Sequence, residues 1–300
     1  MSSTCPTLRE EFRVKKFLFS GVHTGRFYNF HWRLPPFIFL LYRLCLAIYV
    51  DFWLIYFGRL HTSKSTTSEH GPQPWSCYLT VWTYTVLALF LTIYAVIVLM
   101  YYLFHPSTLF QAPSQEYHAN LFHELSSSDG YRQLGYEQIM DDDYEMEIQP
   151  LSNMLPWYLK LVWILQNIVF VAAVIVTMVF FVFLLPQMKG VSGISLENLQ
   201  LHALNTVIVV VESLVSAVPH RLLHIVYCAL YALVYVLFSV FYWVPDHAHV
   251  MYPNVLDWNQ PAHTVGMICL IAFVFFPLLQ MLYHLIYRLK IFILQQVLSV

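Results

Sequence analysis

Apolar and polar residues form long blocks along the chain, with six apolar stretches separated by more polar segments. The stretches cover residues 36–57, 76–104, 155–185, 196–217, 222–244 and 265–287. A helix needs about 20 apolar residues to cross a bilayer, and these stretches are too long for the strands of a membrane barrel. The pattern predicts an all-α, polytopic membrane helix bundle with about six transmembrane helices and no β-sheet. Only Val218 and Pro219 separate the fourth stretch from the fifth, which predicts a tight turn there.

The composition supports a membrane protein. Hydrophobic residues make up 59% of the chain and charged residues 11%, whereas a soluble domain carries about 25% charged residues. The five cysteines are far apart in the sequence, which predicts neither a disulfide framework nor a zinc site, and we expect no cofactor. The chain has no basic domain, so nucleic acid is not expected as a partner.

The distribution of lysine and arginine predicts the orientation. With six spans, one side of the membrane receives ten of these residues: Arg9, Arg13, Lys15, Lys16, Arg26, Arg33, Arg132, Arg221, Arg288 and Lys290. The other side receives three: Arg59, Lys64 and Lys189. Because cytosolic loops are enriched in basic residues, both termini are predicted to be cytosolic, in the plasma membrane or the endoplasmic reticulum.

This topology divides the chain into five segments. They are a cytosolic N-terminal segment (1–35), the first two spans (36–104), an acidic cytosolic loop (105–154), the last four spans (155–287) and a cytosolic tail (288–300). The loop has nine carboxylates from Glu116 to Glu147 and Arg132 as its only Lys or Arg there. Mutual repulsion and low apolar content predict poor order over residues 115–149. A solvated linker is the simplest interpretation, and a segment that binds a basic partner is the alternative.

The fourth stretch carries polar residues on one helix face, namely His202, Asn205, Thr206, Glu212, Ser213 and Ser216. Such a face either contacts other helices or belongs to a functional site. A buried Glu212 needs a cationic or hydrogen-bonding partner, for which Arg43 in the first stretch is suited. His202 and Glu212 lie about 15 Å apart along a helix axis, so they are not two members of one catalytic triad.

Three segments resemble the rolling stone family of multispan membrane proteins: YYLFHPSTLFQAPSQEY, LHALNTVIVVVESLVSAVPHRLLHIVYCALYALVYVLFSVFYW and YPNVLDW. The resemblance runs from about Cys77 to the sixth stretch, outside most of the acidic loop. That family is named for a role in the fusion of muscle precursor cells. It is distantly similar to the androgen-induced and androgen-dependent membrane proteins, six-span threonine hydrolases of fatty acid esters of hydroxy fatty acids.

The distant similarity implies two catalytic residues. In those hydrolases the nucleophile is the threonine of an aromatic-Leu-Thr segment that opens the second span, and Thr80 follows Tyr78 and Leu79 in this way. Their second essential residue is a histidine ten residues before a glutamate in the fourth span, which His202 matches relative to Glu212. The supporting polar residues we expect are Asn205, Glu212, Arg43 and Asp257. Three residues are candidates for the group that orients the histidine: Asn205, Asp246 and Asp257.

Two functions from different classes follow. In the first, Thr80 attacks a lipid ester that enters from the bilayer, and His202 takes the proton. In the second, the protein is non-catalytic and acts in cell fusion, adhesion or signalling, with Thr80 bonded back to a carbonyl one turn earlier, as is common in spanning helices. A transporter is less favoured, because Pro277 in the sixth stretch is the one Gly or Pro near the centre of a span and has no counterpart in the other stretches. In either case membrane lipids surround the protein. The sequence does not identify a protein partner.

A cavity that contains both Thr80 and His202 would distinguish the hydrolase from the non-catalytic membrane protein. Both the second and fourth spans run toward the cytosol, and Thr80 and His202 lie one to two turns from their starts, hence at similar depth. The hydrolase interpretation predicts one cavity lined by both side chains, with Thr80 Oγ1 about 3–6 Å from an imidazole nitrogen.

The orientation can be tested by protease protection. An epitope attached after Val300 should be digested in sealed vesicles whose cytosolic face is outside, because the C-terminus is predicted to be cytosolic. An epitope inserted after Lys64 serves as the control and should resist digestion. Protection of the C-terminal epitope would contradict the predicted orientation.

Overall fold

The computed structural model describes residues 11–12, 14–19, 21–65, 74–114, 155–187 and 195–298. Nearly all of these residues belong to helices or to the short segments that join them. The prediction of poor order over residues 115–149 falls outside the described ranges.

Within these described ranges, six helices are long and apolar enough to cross a membrane. Two of them precede the acidic loop, and each is a continuous α-helix: α1 is Pro36–Ser65 and α2 is Leu79–Phe104. The others are α3 (Trp157–Val179, continued by Phe180–Leu184), α4 (Leu196–Asn198, Leu199–Leu204 and Asn205–Val215), α5 (Ile225–Trp243) and α6 (Pro261–Leu270, Ile271–Phe275 and Phe276–Leu298). The described residues contain isolated β-bridges but no β-strand. The predicted all-α membrane bundle is confirmed.

Two helices extend beyond the apolar stretches that predicted them. The first stretch covers residues 36–57 and the sixth covers residues 265–287, whereas α1 ends at Ser65 and α6 runs from Pro261 to Leu298. The charged residues Arg59 and Arg288 interrupt the apolar pattern, yet they are good helix formers and do not end a helix.

Helix α3 is at the centre of the bundle. It packs against α2, α4 and α5, while α1 packs on α2 and α6 packs against α4 and α5. The outer surface carries exposed large apolar side chains such as Leu233, Phe241, Phe273 and Leu285. Such a surface is stable in hydrocarbon and not in water, which agrees with a membrane-spanning bundle.

The turn between α4 and α5 is buried although it is not helical. Helix α4 ends at Val215, and residues 216–221, with Pro219 among them, are all buried. Outside a helix, main-chain carbonyls in an apolar environment need other donors. Here the donors come from distant parts of the chain, and we call these six residues the carbonyl turn.

Seven donors serve the carbonyl turn and the two residues before it. The bonds run from Trp32 Nε1 to Leu214, His31 N to Val215, Lys290 Nζ to Ser216, Arg26 Nε to Ala217, Trp163 Nε1 to Pro219, His284 Nδ1 to His220 and Gln280 Nε2 to Arg221. They join the N-terminal segment, α3 and α6 at one end of the bundle. This end therefore collects Arg26, Arg221 and Lys290, three of the ten basic residues predicted to share one side.

A buried ion pair joins α1 to α4. Arg43 Nη2 lies 2.6 Å from Glu212 Oε1, and the Tyr42 hydroxyl donates to Glu212 Oε2 at 2.9 Å. The guanidinium also stacks over the rings of Tyr94 and Phe39, at 3.8 and 4.6 Å from their centroids. Arg43 and Glu212 are both fully buried. The predicted cationic and hydrogen-bonding partners of Glu212 are thus present, and this part of the polar face holds helices together.

Breaking this ion pair should destabilise the bundle. We expect Glu212→Gln to cost about 3–5 kcal/mol, because it leaves the Arg43 charge buried without its counter-charge. The double variant Arg43→Met, Glu212→Met should recover part of the loss, since neither charge is then buried. The thermal unfolding midpoint in detergent measures both effects.

Asp51→Asn is the matched control. Asp51 in α1 also accepts a hydrogen bond from a neighbouring helix, from Thr92 Oγ1 at 2.7 Å, but it is only partly buried and the threonine is uncharged. A midpoint for Glu212→Gln no lower than that for Asp51→Asn would show that the pair does not stabilise the fold.

Candidate functional site

A cavity of about 290 Å³ lies within the bundle, near the ends where α2 and α4 begin. Its wall is formed by α2, α3, α4, α5 and α6 and by the segment that joins α5 to α6. Most lining residues are apolar, and the polar groups among them are Thr80, His202, Cys228, Tyr231, Tyr235 and Tyr252. An apolar cavity with a few polar groups is typical of a site for a small, largely apolar ligand.

Three helices change their winding at this cavity. The segments Phe180–Leu184 of α3, Leu199–Leu204 of α4 and Ile271–Phe275 of α6 are π-helical. Each segment contributes to the cavity wall, through Leu184, His202 and Ile271 respectively. Short π-helical segments are rare and occur frequently at functional sites, because they release main-chain groups and redirect side chains.

Thr80 is buried in the first turn of α2, where its hydroxyl contacts the phenol of Tyr252. The two carbonyls to which a helical threonine bonds back are those three and four residues earlier. The Cys77 carbonyl already accepts from the Tyr235 hydroxyl at 2.9 Å, and the Ser76 carbonyl accepts from Trp82 Nε1 at 2.8 Å. Each of these carbonyls can accept a second bond, so the observation that bears on Thr80 is the contact of its hydroxyl with Tyr252.

His202 is held on three sides within the π-helical part of α4. Its ring stacks on Phe180 with centroids 3.8 Å apart and an angle of 10° between the planes. Its main-chain carbonyl accepts from Thr177 Oγ1 at 2.5 Å, and the imidazole interacts with the Val176 carbonyl. Because a carbonyl only accepts, a neutral imidazole places its proton on the nitrogen that faces Val176. The other nitrogen then has a lone pair, as a general base requires.

The structure brings Thr80 and His202 to the same cavity wall. Their separation of about 3–6 Å stays a prediction. Glu212 and Arg43 form the ion pair described above, and Asn205 is fully buried without lining the cavity.

The acidic candidates for orienting His202 lie in turns outside the cavity wall. The Asp257 carboxylate accepts from the Asn259 N–H, and its main chain bonds with Thr264. The Asp246 carboxylate accepts from the Ala248 N–H. The group that contacts the imidazole is the Val176 carbonyl, which a residue pattern does not indicate because every residue has a carbonyl. Tyr252, within the YPNVLDW segment, is a further cavity residue that the pattern of charges did not single out.

These features define a polytopic helical membrane protein with an apolar cavity inside the bundle. Residues 154–300 match the family model described as protein rolling stone. The chain is 33% identical over 141 residues to protein rolling stone of Drosophila melanogaster, a match that covers 44% of this chain and 49% of that protein. The chain thus spans about half the length of this relative. No solved structure matches the chain.

Residues 154–300, just under half of the chain, are therefore similar to the rolling stone family. The matched residues include His202, Glu212 and Tyr252, whereas Thr80 and Arg43 lie outside them. The predicted resemblance to this family is confirmed for these residues, whereas its predicted extent from Cys77 to residue 153 lies outside the match.

Metal binding tests the predicted approach of Thr80 to His202. In a Cys228→Ala background, which removes the thiol of the cavity wall, Thr80→Cys should create a thiolate–imidazole pair that binds Zn²⁺. Zinc should then raise the thermal unfolding midpoint in a concentration-dependent way. The same protein with His202→Gln is the control, and an equal zinc response in both would contradict the predicted distance.

Proposed function

We propose that this protein is a membrane hydrolase that cleaves an ester of a chain-like lipid, with Thr80 as nucleophile and His202 as general base. The observation that carries the proposal is the cavity, whose wall contains both side chains inside a membrane-spanning bundle. Its remaining wall is almost entirely apolar, which suits an acyl chain, since burial of each methylene group contributes about 0.8 kcal/mol. The similarity of Tyr78, Leu79, Thr80 and His202 to the threonine hydrolases supports the same reaction type.

A threonine hydroxyl is a weak nucleophile and needs a base beside it. In the proposed reaction Thr80 Oγ1 forms a bond to the ester carbonyl carbon while His202 takes the hydroxyl proton. The tetrahedral intermediate then breaks its bond to the alcohol oxygen, which leaves with the proton from His202. The products of this half-reaction are the alcohol and an acyl ester on Thr80.

Water completes the reaction. His202 takes a proton from a water molecule, whose oxygen attacks the acyl carbon. The bond to Thr80 Oγ1 breaks, the carboxylic acid leaves, and the proton returns from His202 to Thr80. Phe180 and the Val176 carbonyl favour this cycle because they hold the imidazole in one orientation during both proton transfers.

The bilayer is the proposed source of substrate. Leu233 lines the cavity and is also 52% exposed on the outer surface of α5. The wall of the cavity is therefore part of the lipid-facing surface at this position. A chain-like ester would enter laterally beside Leu233, without passing through water.

Labelling with a fluorophosphonate probe tests the proposal. The probe should react covalently with the wild-type protein at Thr80, and Thr80→Ala should abolish the reaction. We expect His202→Ala to slow labelling by about 10²–10⁴-fold, the usual effect of losing a general base.

Thr83→Ala is the control, because Thr83 is a buried threonine of the same helix whose hydroxyl pairs with Tyr231 at 3.1 Å. It should label like the wild type. Equal labelling of the wild type and Thr80→Ala would overturn the hydrolase and leave the alternative, a non-catalytic membrane protein acting in cell fusion, adhesion or signalling.

A further inference from the structure

Tyr252 is a cavity residue whose hydroxyl contacts the side chains of Thr80 and Tyr235 but forms no well-aligned hydrogen bond with either. The side chain is 8% exposed, and its hydroxyl is buried without a hydrogen bond of normal length and angle. A buried polar group without a partner is unfavourable. The hydroxyl lies at the wall of the cavity, beside the Thr80 side chain and the first main-chain N–H groups of α2.

The first two N–H groups of α2, those of Leu79 and Thr80, face this hydroxyl. No side chain caps the helix, which is 26 residues long. The Leu79 N–H donates to the Tyr235 hydroxyl at 2.9 Å, and those of Val81 and Trp82 donate to the Tyr78 carbonyl at 3.0 and 3.1 Å. The Thr80 N–H, between them, faces Tyr252. The positive end of the helix dipole adds to the attraction for a negative oxygen at this position.

The segment that carries Tyr252 is held firmly in place. The Tyr252 carbonyl accepts from the N–H groups of Val255 and Leu256 at 3.1 and 2.8 Å. Asn254, in the same turn, has a left-handed backbone with φ of 64°, which asparagine tolerates better than most residues. The Tyr252 ring also packs edge-on against Tyr78, with centroids 5.9 Å apart. The phenol is therefore fixed before any ligand binds.

Burial raises the pKa of the Tyr252 phenol to about 12. The phenol therefore keeps its proton at neutral pH, where it serves as a hydrogen-bond donor.

We propose that the Tyr252 hydroxyl and the Thr80 main-chain N–H together bind the carbonyl oxygen of a long-chain acyl ligand and stabilise the oxyanion that forms when Thr80 attacks. The catalytic part rests on the proposed function, whereas the binding of a carbonyl compound does not. In chymotrypsin-like serine proteases, too, the N–H of the nucleophile itself donates to the oxyanion. Tyr252 supplies the second donor from a separate, rigid segment.

Binding is tested with a long-chain methyl ketone and the alkane of equal chain length, using thermal stabilisation of the full-length protein in detergent. The wild type should bind the ketone about tenfold more tightly than the alkane, the effect of about one hydrogen bond. Tyr252→Phe should lower this preference, because only the Thr80 main-chain N–H then remains as a donor. Thr80→Ala should keep it, because the main-chain N–H and Tyr252 remain.

Tyr231→Phe is the matched control, since Tyr231 also lines the cavity but its hydroxyl already pairs with Thr83. It should keep the ketone preference. A second variant, Tyr252→fluorotyrosine, retains the ring and strengthens the donor, so it should increase the preference even if Tyr252→Phe unfolds. An unchanged preference in both Tyr252 variants would overturn the proposal.

Hydrolysis separates this proposal from the proposed function. Tyr252→Phe should lower kcat for a long-chain ester by about 10²–10³-fold with little change in KM, as expected for a donor to the oxyanion. If the preference for the ketone depends on Tyr252 but no hydrolysis is detected, the binding site is supported and the proposed hydrolase function is overturned. Hydrolysis with an unchanged kcat in Tyr252→Phe would overturn the role of Tyr252 and leave the enzyme intact.

Discussion

The structure depends on the supply of hydrogen-bond donors to a short piece of main chain that is buried without being helical. Between α4 and α5 the carbonyl turn leaves its oxygen atoms in an apolar environment, where unpaired carbonyls are unfavourable. Long polar side chains from the N-terminal segment, α3 and α6 donate to these oxygens. The positions of Arg26, Trp163 and Lys290 are therefore linked to one another through a single turn, and the end of α4 is fixed relative to the rest of the bundle.

Helix α4 uses its polar residues for two different purposes. Near the carbonyl turn, Glu212 pairs with Arg43 and joins α4 to α1. Near its other end, His202 faces a cavity in which only a few groups are polar. The first arrangement supports the interpretation of such residues as contacts between helices, and the second supports their interpretation as a site. Both apply to one helix because its two ends have different neighbours.

The sequence predicted the parts of this structure that depend on side-chain polarity. The apolar stretches predicted six helices, and the unfavourable burial of an isolated carboxylate predicted a partner for Glu212. The placement of Thr80 and His202 near the starts of two parallel spans agreed with their common cavity. The helix ends of α1 and α6, the π-helical segments and the role of the Val176 carbonyl were not predictable, because they depend on main-chain geometry rather than on residue type. Tyr252 was missed because an uncharged tyrosine in an aromatic-rich chain does not stand out.

The π-helical segment Leu199–Leu204 sets the rotational phase of the first part of α4 relative to the rest of the helix. A π-helical turn contains about one residue more than an α-helical turn, and one residue corresponds to a rotation of about 100°. The residues on its two sides are therefore out of phase with an uninterrupted α-helix. The direction of His202 is set by this insertion, whereas the direction of Glu212 is set by the regular helix that follows. The loss of one residue within the segment would rotate the histidine away from the cavity. The contact between Arg43 and Glu212 would be retained. The residues of α4 at the cavity can therefore change while the packing of the bundle stays the same.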